Sequence, residues 1–136
     1  MFTIKTYIAK SKIDHLGVFA GEDITAGQVV WRFEPGLDRK IPISRIRKLP
    51  KTYQDYIKKC GFTPKGSKYY FISLDYDVFS NHADEPNLIE DKPKKRKSCP
   101  DVLAARDIKI GEELTQNYFE LDKVGDARFK LSHFQE

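Results

Sequence analysis

Apolar and polar residues alternate with a period of two along FTIKTYIAKS, residues 2–11, and predict a strand at the start of the chain. In LGVFAGEDITAGQVVWRFEPG a short apolar burst, a turn at Ala26-Gly27 and a second burst, QVVWRF, predict two strands joined by a loop. The pattern then breaks. In ISRIRKLPKTYQDYIKKCGF, Ser44 is placed to cap a short helix holding Ile46 and Leu49, and Pro50 to open another. Tyr53, Tyr56, Ile57 and Cys60 recur at helical spacing, and Gly61 supplies a stop. KYYFISL and DYDVFS return to an extended pattern. DVLAARDIKIGEELTQNYF reads as a strand, a turn over Lys109–Glu112 and a second short strand. The tail LDKVGDARFKLSHFQE is polar with Phe129, Leu131 and Phe134 spaced along it, a helix or a wrapping arm. Short strands with one helical insert and no internal repeat predict an all-β or α+β protein built from several small sheets.

Composition narrows this picture. A length of 136 residues suits one domain, and 40% hydrophobic residues, with nine Phe and seven Tyr, can fill a core. No apolar run reaches the roughly 18 residues of a membrane span, and the N-terminus has no apolar block of a signal peptide, so an intracellular protein is expected. Cys60 and Cys99 are far apart, no C-x-x-C occurs and the three histidines are scattered; reduced thiols are expected and zinc is not. The net charge is +4, but KPKKRK at 92–97 packs five cations into six residues. Such a block predicts a solvated loop or hairpin tip. A nuclear import signal, which the string resembles, or a patch touching nucleic acid or an acidic partner are the other readings, and localisation stays open between cytoplasm and nucleus.

One stretch does not fit a plain β protein. FSNHADEPNL, residues 79–88, places Asn81, His82, Asp84, Glu85 and Asn87 at the end of the most apolar segment, with Pro86 stopping any ladder. Taken with HLGVFA before it and Gly111-Glu112-Glu113-Leu114-Thr115-Gln116-Asn117-Tyr118 after it, this stretch resembles the motifs of SET-domain protein lysine methyltransferases, in their order and spacing. The resemblance runs from residue 3 to about 120 and implies a single minimal SET domain over 1–136, with a helical insert at about 42–62 and a C-terminal cap segment at 121–136. It implies a mostly β, β-clip-like SET fold, in which small curved sheets surround a C-terminal pseudoknot. There the Asn-His segment and the final Tyr segment meet and line one pocket, and the polar side chains satisfy two irregular backbones at the crossing.

The resemblance also implies a reaction: methyl transfer from S-adenosylmethionine to a lysine of a protein or peptide, a histone or another basic protein. A catalytically degenerate module that binds a peptide or nucleic acid is the alternative. The donor is already activated, so the demands are alignment, a neutral amine and exclusion of water. Tyr118 takes the catalytic position, orienting and electrostatic in role, because a phenol of pKa about 10 is not ionised at neutral pH. His15, Leu16 and Gly17 fall where the family's first motif meets the cofactor, with His15 replacing a glycine. Asn81 and His82 are implied cofactor contacts, largely through backbone, with His82 structural at the knot.

Other positions depart from the family. Asp84 stands where many relatives have a zinc-binding cysteine, and no cysteine cluster follows Tyr118. Phe119, Phe129 and Phe134 are the candidates to cover the adenine instead, with Phe134 placed in the stack. Gln116 replaces an aromatic that limits methyl count. Tyr69 or Tyr70 is either a channel aromatic or a core residue. The insert is basic, with Arg45, Arg47, Lys48, Lys51, Lys58 and Lys59, so Asp75, Asp77, Asp84 and Glu85 are the acidic residues available to line a groove. No membrane partner is expected, and either a monomer or a homodimer fits.

Overall fold

The computed structural model describes residues 1–92 and 98–121. Among these residues nine short strands form three sheets. The largest has the order β1-β2-β9-β6, from Thr6–Lys10, Leu16–Ala20, Glu113–Gln116 and Asn81–His82. A second has the order β3-β8-β7, from Val29–Trp31, Val102–Ala104 and Leu88–Glu90. The third pairs β4, Arg39–Pro42, with β5, Tyr69–Ile72.

The alternation in the sequence sets the first sheet's register. β1 and β2 form an antiparallel hairpin with Thr6 opposite Ala20 and Lys10 opposite Leu16. That register turns Val18 and Ala20 into the core. They pack with Val30, Trp31, Phe71, Leu88, Ile108 and Leu114, all almost fully buried, so one apolar centre joins the sheets. Gly27 and Gly111 sit at the predicted turns with φ of 81° and 89°, values that glycine reaches without a Cβ clash.

The insert forms α1, Ile43–Ile46, and α2, Lys51–Cys60. Ile46 and Ile57 pack on Tyr70 in a second, smaller core, which fixes the rotation of α2 about its axis. Two local expectations need correction, while Gly61 ends α2 as expected. Ser44 lies inside α1 and caps nothing; Pro42 takes the cap position, and the Ile43 amide donates to the Lys68 carbonyl at 3.0 Å instead. Gly61 ends α2 in an extended conformation, with its amide donating to the Ile57 carbonyl at 2.7 Å. Glycine is needed there for space, since a Cβ would lie 2.9 Å from the carbonyl oxygens of Ile57 and Phe71. DYDVFS is not a strand: Tyr76–Phe79 is a 3₁₀ helix, capped by the Asp75 carboxylate accepting from the Asp77 amide at 3.2 Å. Aspartates at this spacing offer the backbone a local partner that competes with a ladder. A last short helix, α3, covers Tyr118–Leu121.

Candidate active site

The polar run of 81–87 is explained by what it holds. β9 lies between β2 and β6, antiparallel to the first and parallel to the second, and this is the crossing the resemblance implies. Asn81 stands opposite Thr115 and His82 opposite Gln116. Asn87, buried beside β9, behaves like a piece of strand. Its Nδ2 donates to the Glu113 carbonyl at 2.7 Å, and its Oδ1 accepts from the Thr115 amide at 2.9 Å. A side-chain amide thus completes a ladder that Pro86 interrupts.

Asn81 works in the other direction. Its Nδ2 donates to the carbonyls of Asp14 and Leu16 at 3.1 and 3.0 Å and to Glu113 Oε1 at 2.8 Å. The Glu113 carboxylate also accepts from Ser11 Oγ at 2.8 Å, and Ser11 Oγ accepts from the Ile13 amide at 2.8 Å. Asn81 and Glu113 therefore clamp the 11–16 loop from beneath. Gly17 makes room for that clamp, since a Cβ there would come within 2.2 Å of Glu113 Oε1. The neighbouring Glu112 serves the turn instead, accepting from the Lys109 amide at 2.6 Å. Hydrogen bonding by Arg106 and by that amide lowers its pKa from the usual carboxylate range.

His15 occupies the left-handed region with φ of 31°, where a glycine would be unstrained. Its ring is bound to the Asp14 carboxylate. His82 uses both ring nitrogens. Nδ1 accepts from the Tyr118 amide at 3.1 Å, which assigns the ring proton to Nε2, facing Asp84 at 3.2 Å. Its ring packs on Tyr118 and Phe119 at centroid distances of 5.3 and 5.1 Å. His82 thus fixes the start of α3 and orients Tyr118, as the resemblance implies for a knot residue.

Tyr118 is buried, and its hydroxyl donates to the Ser80 carbonyl. It lines a cavity of about 410 Å³ together with Asp14, His15, Leu16 and Asn81. The opposite wall is Val78 and Phe79 of the 3₁₀ helix and Tyr56, Lys59 and Cys60 of α2. The crossing thus brings the loop of the first motif, the Asn-His dipeptide and the final tyrosine to one place. Gly17 and His82 are near it but not on its surface. Phe129 and Phe134, proposed to cover the adenine, lie outside the described residues, as do residues 93–97 of the basic string.

Several assignments change. Tyr70 belongs to the second core and Tyr69 packs against the first, with Lys40 Nζ 4.3 Å from the Tyr69 ring centre; neither lines the cavity. Gln116 is not a water-holding polar group facing a channel: it is buried, and its Nε2 donates to the Asp77 carboxylate at 3.0 Å. Asp77 also accepts from Ser80 Oγ at 3.3 Å, so Gln116 braces the segment whose Ser80 carbonyl holds Tyr118. Asp75, Asp77, Asp84 and Glu85 do not line the cavity; the first two are structural acceptors and the last two are exposed. Among the described residues no cluster of metal ligands occurs. Tyr56 and Asp14 were missed as lining residues, and Lys59 was read only as part of a basic groove wall. The helical spacing was visible, but not which stripe faces the site.

The chain belongs to the SET-domain family: residues 15–119 match the model of the SET domain. A crystal structure of a candidate histone methyltransferase from Plasmodium falciparum is similar at 25% identity and a TM-score of 0.56, covering 85% of this chain and 94% of that one. A humanized mutant of the Chaetomium thermophilum Polycomb Repressive Complex 2, bound to an inhibitor, shares the fold at 21% identity and a TM-score of 0.63, over 88% of this chain but 15% of that one. No curated protein sequence matches at a significant level.

Proposed function

We propose that this chain is a protein-lysine methyltransferase that uses S-adenosylmethionine. The observation that carries the reading is the convergence of the 14–16 loop, Asn81 and the Tyr118 hydroxyl on one cavity. Its volume of about 410 Å³ lies within the roughly 300–1,000 Å³ of small-molecule sites. Its lining suits a zwitterionic nucleoside sulfonium: Leu16, Val78 and Phe79 are apolar, and Asp14 supplies a carboxylate. Asn81 has committed its amide hydrogens to the loop, so it shapes that wall, and cofactor contact there falls to the backbone of 14–16.

Bound in this cavity, the cofactor supplies a methyl group already activated on a positive sulfur. The protein's part is then positional. Tyr118 donates its hydroxyl hydrogen to the Ser80 carbonyl, which fixes the direction of the phenol oxygen on the cavity wall. The apolar wall excludes water and disfavours the charged form of an entering lysine, whose reference pKa is about 10.4. His82 is not the base, because both of its ring nitrogens are engaged. The proton leaves to water. A further structure of the same fold, of ctPRC2 at 21% identity, is in complex with H3K27me3 and H3K27M. A protein or peptide lysine is accordingly the substrate class proposed here.

Transfer of a radiolabelled methyl group onto a protein array, followed by mass spectrometry of the product, tests the proposal. Tyr118→Phe should raise the barrier by about 2–4 kcal/mol, the worth of one preorganised polar group, with cofactor affinity little changed. Intact cofactor binding with no labelling of any lysine would overturn the enzymatic reading.

A further inference from the structure

The helical insert brings an unusual charge to the cavity it walls. Residues 43–60 hold six cations against one carboxylate, Asp55, while the whole chain has an excess of only four. Asp55 is already taken by Lys51. Arg45, Arg47, Lys48, Lys58 and Lys59 have no carboxylate partner among the described residues. Because Ile57 is buried in the second core, α2 turns Tyr56, Lys59 and Cys60 to the cavity that Tyr118 lines. Tyr53 and Tyr56, one turn apart, are 60% and 68% exposed. Exposed tyrosines among unpaired cations make a surface that attracts an acidic peptide and repels a basic one.

We propose that the α2 surface around Tyr56 and Lys59, reinforced by the other cations of the insert, docks an acidic stretch of the substrate, so that the lysine presented to Tyr118 is flanked by Asp or Glu. The inference rests on the reading of the cavity as a lysine methyltransferase site. Lys59 is itself on the cavity wall, which places the nearest acidic residue close in sequence to the target, within about four residues at 3.3 Å per extended residue. Tyr56 lies beside it as an uncharged platform for the peptide between them.

The test uses short peptides with one central lysine, identical except for Asp and Glu or Lys and Arg on its flanks. Binding is followed by fluorescence anisotropy and methyl transfer by mass spectrometry. The acidic peptide should bind and react about tenfold better, the worth of two or three surface ion pairs, and the advantage should shrink as salt rises. Lys58→Glu with Lys59→Glu should abolish or reverse the preference, while neutralising Lys94–Lys97 should leave it. Equal use of both peptides by an active enzyme would overturn the inference and leave the proposed reaction standing. So would a preference that survives Lys59→Glu, or a Lys59→Glu variant that loses cofactor binding without peptide and keeps the preference; in that case Lys59 serves the cofactor's carboxylate. Insert-dependent binding of the acidic peptide with no transfer to any lysine would support the docking surface and reject the reaction.

Discussion

Asn87 offers the sharpest test of how the crossing is held. Asn87→Ala removes one donor and one acceptor and orphans two groups of β9, the Glu113 carbonyl and the Thr115 amide, bound at 2.7 and 2.9 Å. Asn87 and Thr115 are 5% and 8% exposed, so water reaches these groups poorly. Each buried orphan costs about 1–3 kcal/mol, which puts the loss at about 3 kcal/mol once partial relaxation is allowed. Asn87→Asp separates the two contacts. The shape is kept and the Thr115 amide stays satisfied, but an oxygen now faces the Glu113 carbonyl where a donor stood. The loss should be of similar size at neutral pH and should shrink at acid pH, where a protonated carboxyl can donate again. Equilibrium urea unfolding with unchanged m-values measures both, and thermal melting should show a fall of roughly 10 °C for the alanine variant. If both variants stay within about 0.5 kcal/mol of the parent, Asn87 does not anchor β9 and this account of the polar run is wrong.

Other consequences follow from the same geometry. Glu113→Gln keeps the size of the side chain but removes the charge behind both contacts and puts an amide where Oε2 meets Ser11 Oγ, an oxygen already accepting from the Ile13 amide, so the 11–16 loop should loosen. KM for the cofactor should rise about tenfold with kcat little changed, a split that steady-state kinetics at varied cofactor resolves. Burial pushes the Cys99 thiol up to about 12, with nearby carboxylates adding to the shift. Alkylation of the native protein at pH 8 should therefore label Cys60, which is on the cavity wall, and spare Cys99 until denaturant is added. The folded pKa of Cys99 lies above its unfolded value of 9.0, so its contribution to stability is complete below pH 9 and is lost as pH rises toward about 12. Cys99→Ala should flatten that alkaline decline in urea titrations, even though the variant is less stable throughout.

The elements legible in the sequence are those decided by local pattern. Alternation marked β1, an apolar burst marked β2 and the preceding turn marked β9, while Gly27 and Gly111 marked turns whose positive φ needs glycine. The crossing was legible only through the family resemblance of the motifs, since periodicity does not show which distant segments meet. What stayed hidden depends on partners distant in sequence. DYDVFS has the apolar spacing of a strand, but its aspartates bond locally and the segment coils. Tyr69 and Tyr70 look alike in sequence, and only the β4–β5 pairing sends one to each core. Asp77 carries no mark of burial until Gln116 and Ser80 arrive to satisfy it. The face that α2 turns to the cavity was set by Ile57 meeting Ile46 and Tyr70, contacts that helical periodicity does not choose among.

The first motif shows how such distant contacts change the meaning of a residue. A glycine at 17 suggests close approach by a ligand, yet the group that needs the space is the Glu113 carboxylate beneath it. The residue that carries the strained backbone is His15, with φ of 31°, a conformation costing a non-glycine residue about 1–2 kcal/mol. The loop holds that shape because it is over-determined: the Ile13 amide is bound by Ser11, and the Asp14 and Leu16 carbonyls by Asn81, with Glu113 fixing both side chains. His15 and Glu113 should therefore be coupled although they do not touch. In the parent protein His15→Gly should alter cofactor affinity little, since the clamp already imposes the shape. In the Glu113→Gln background the strained loop is free to relax, and His15→Gly should recover much of the lost affinity. Calorimetric titration of the four proteins gives the coupling energy directly. Identical effects of His15→Gly in both backgrounds would mean that the clamp does not hold the strain, and that Gly17 and Glu113 only pack together.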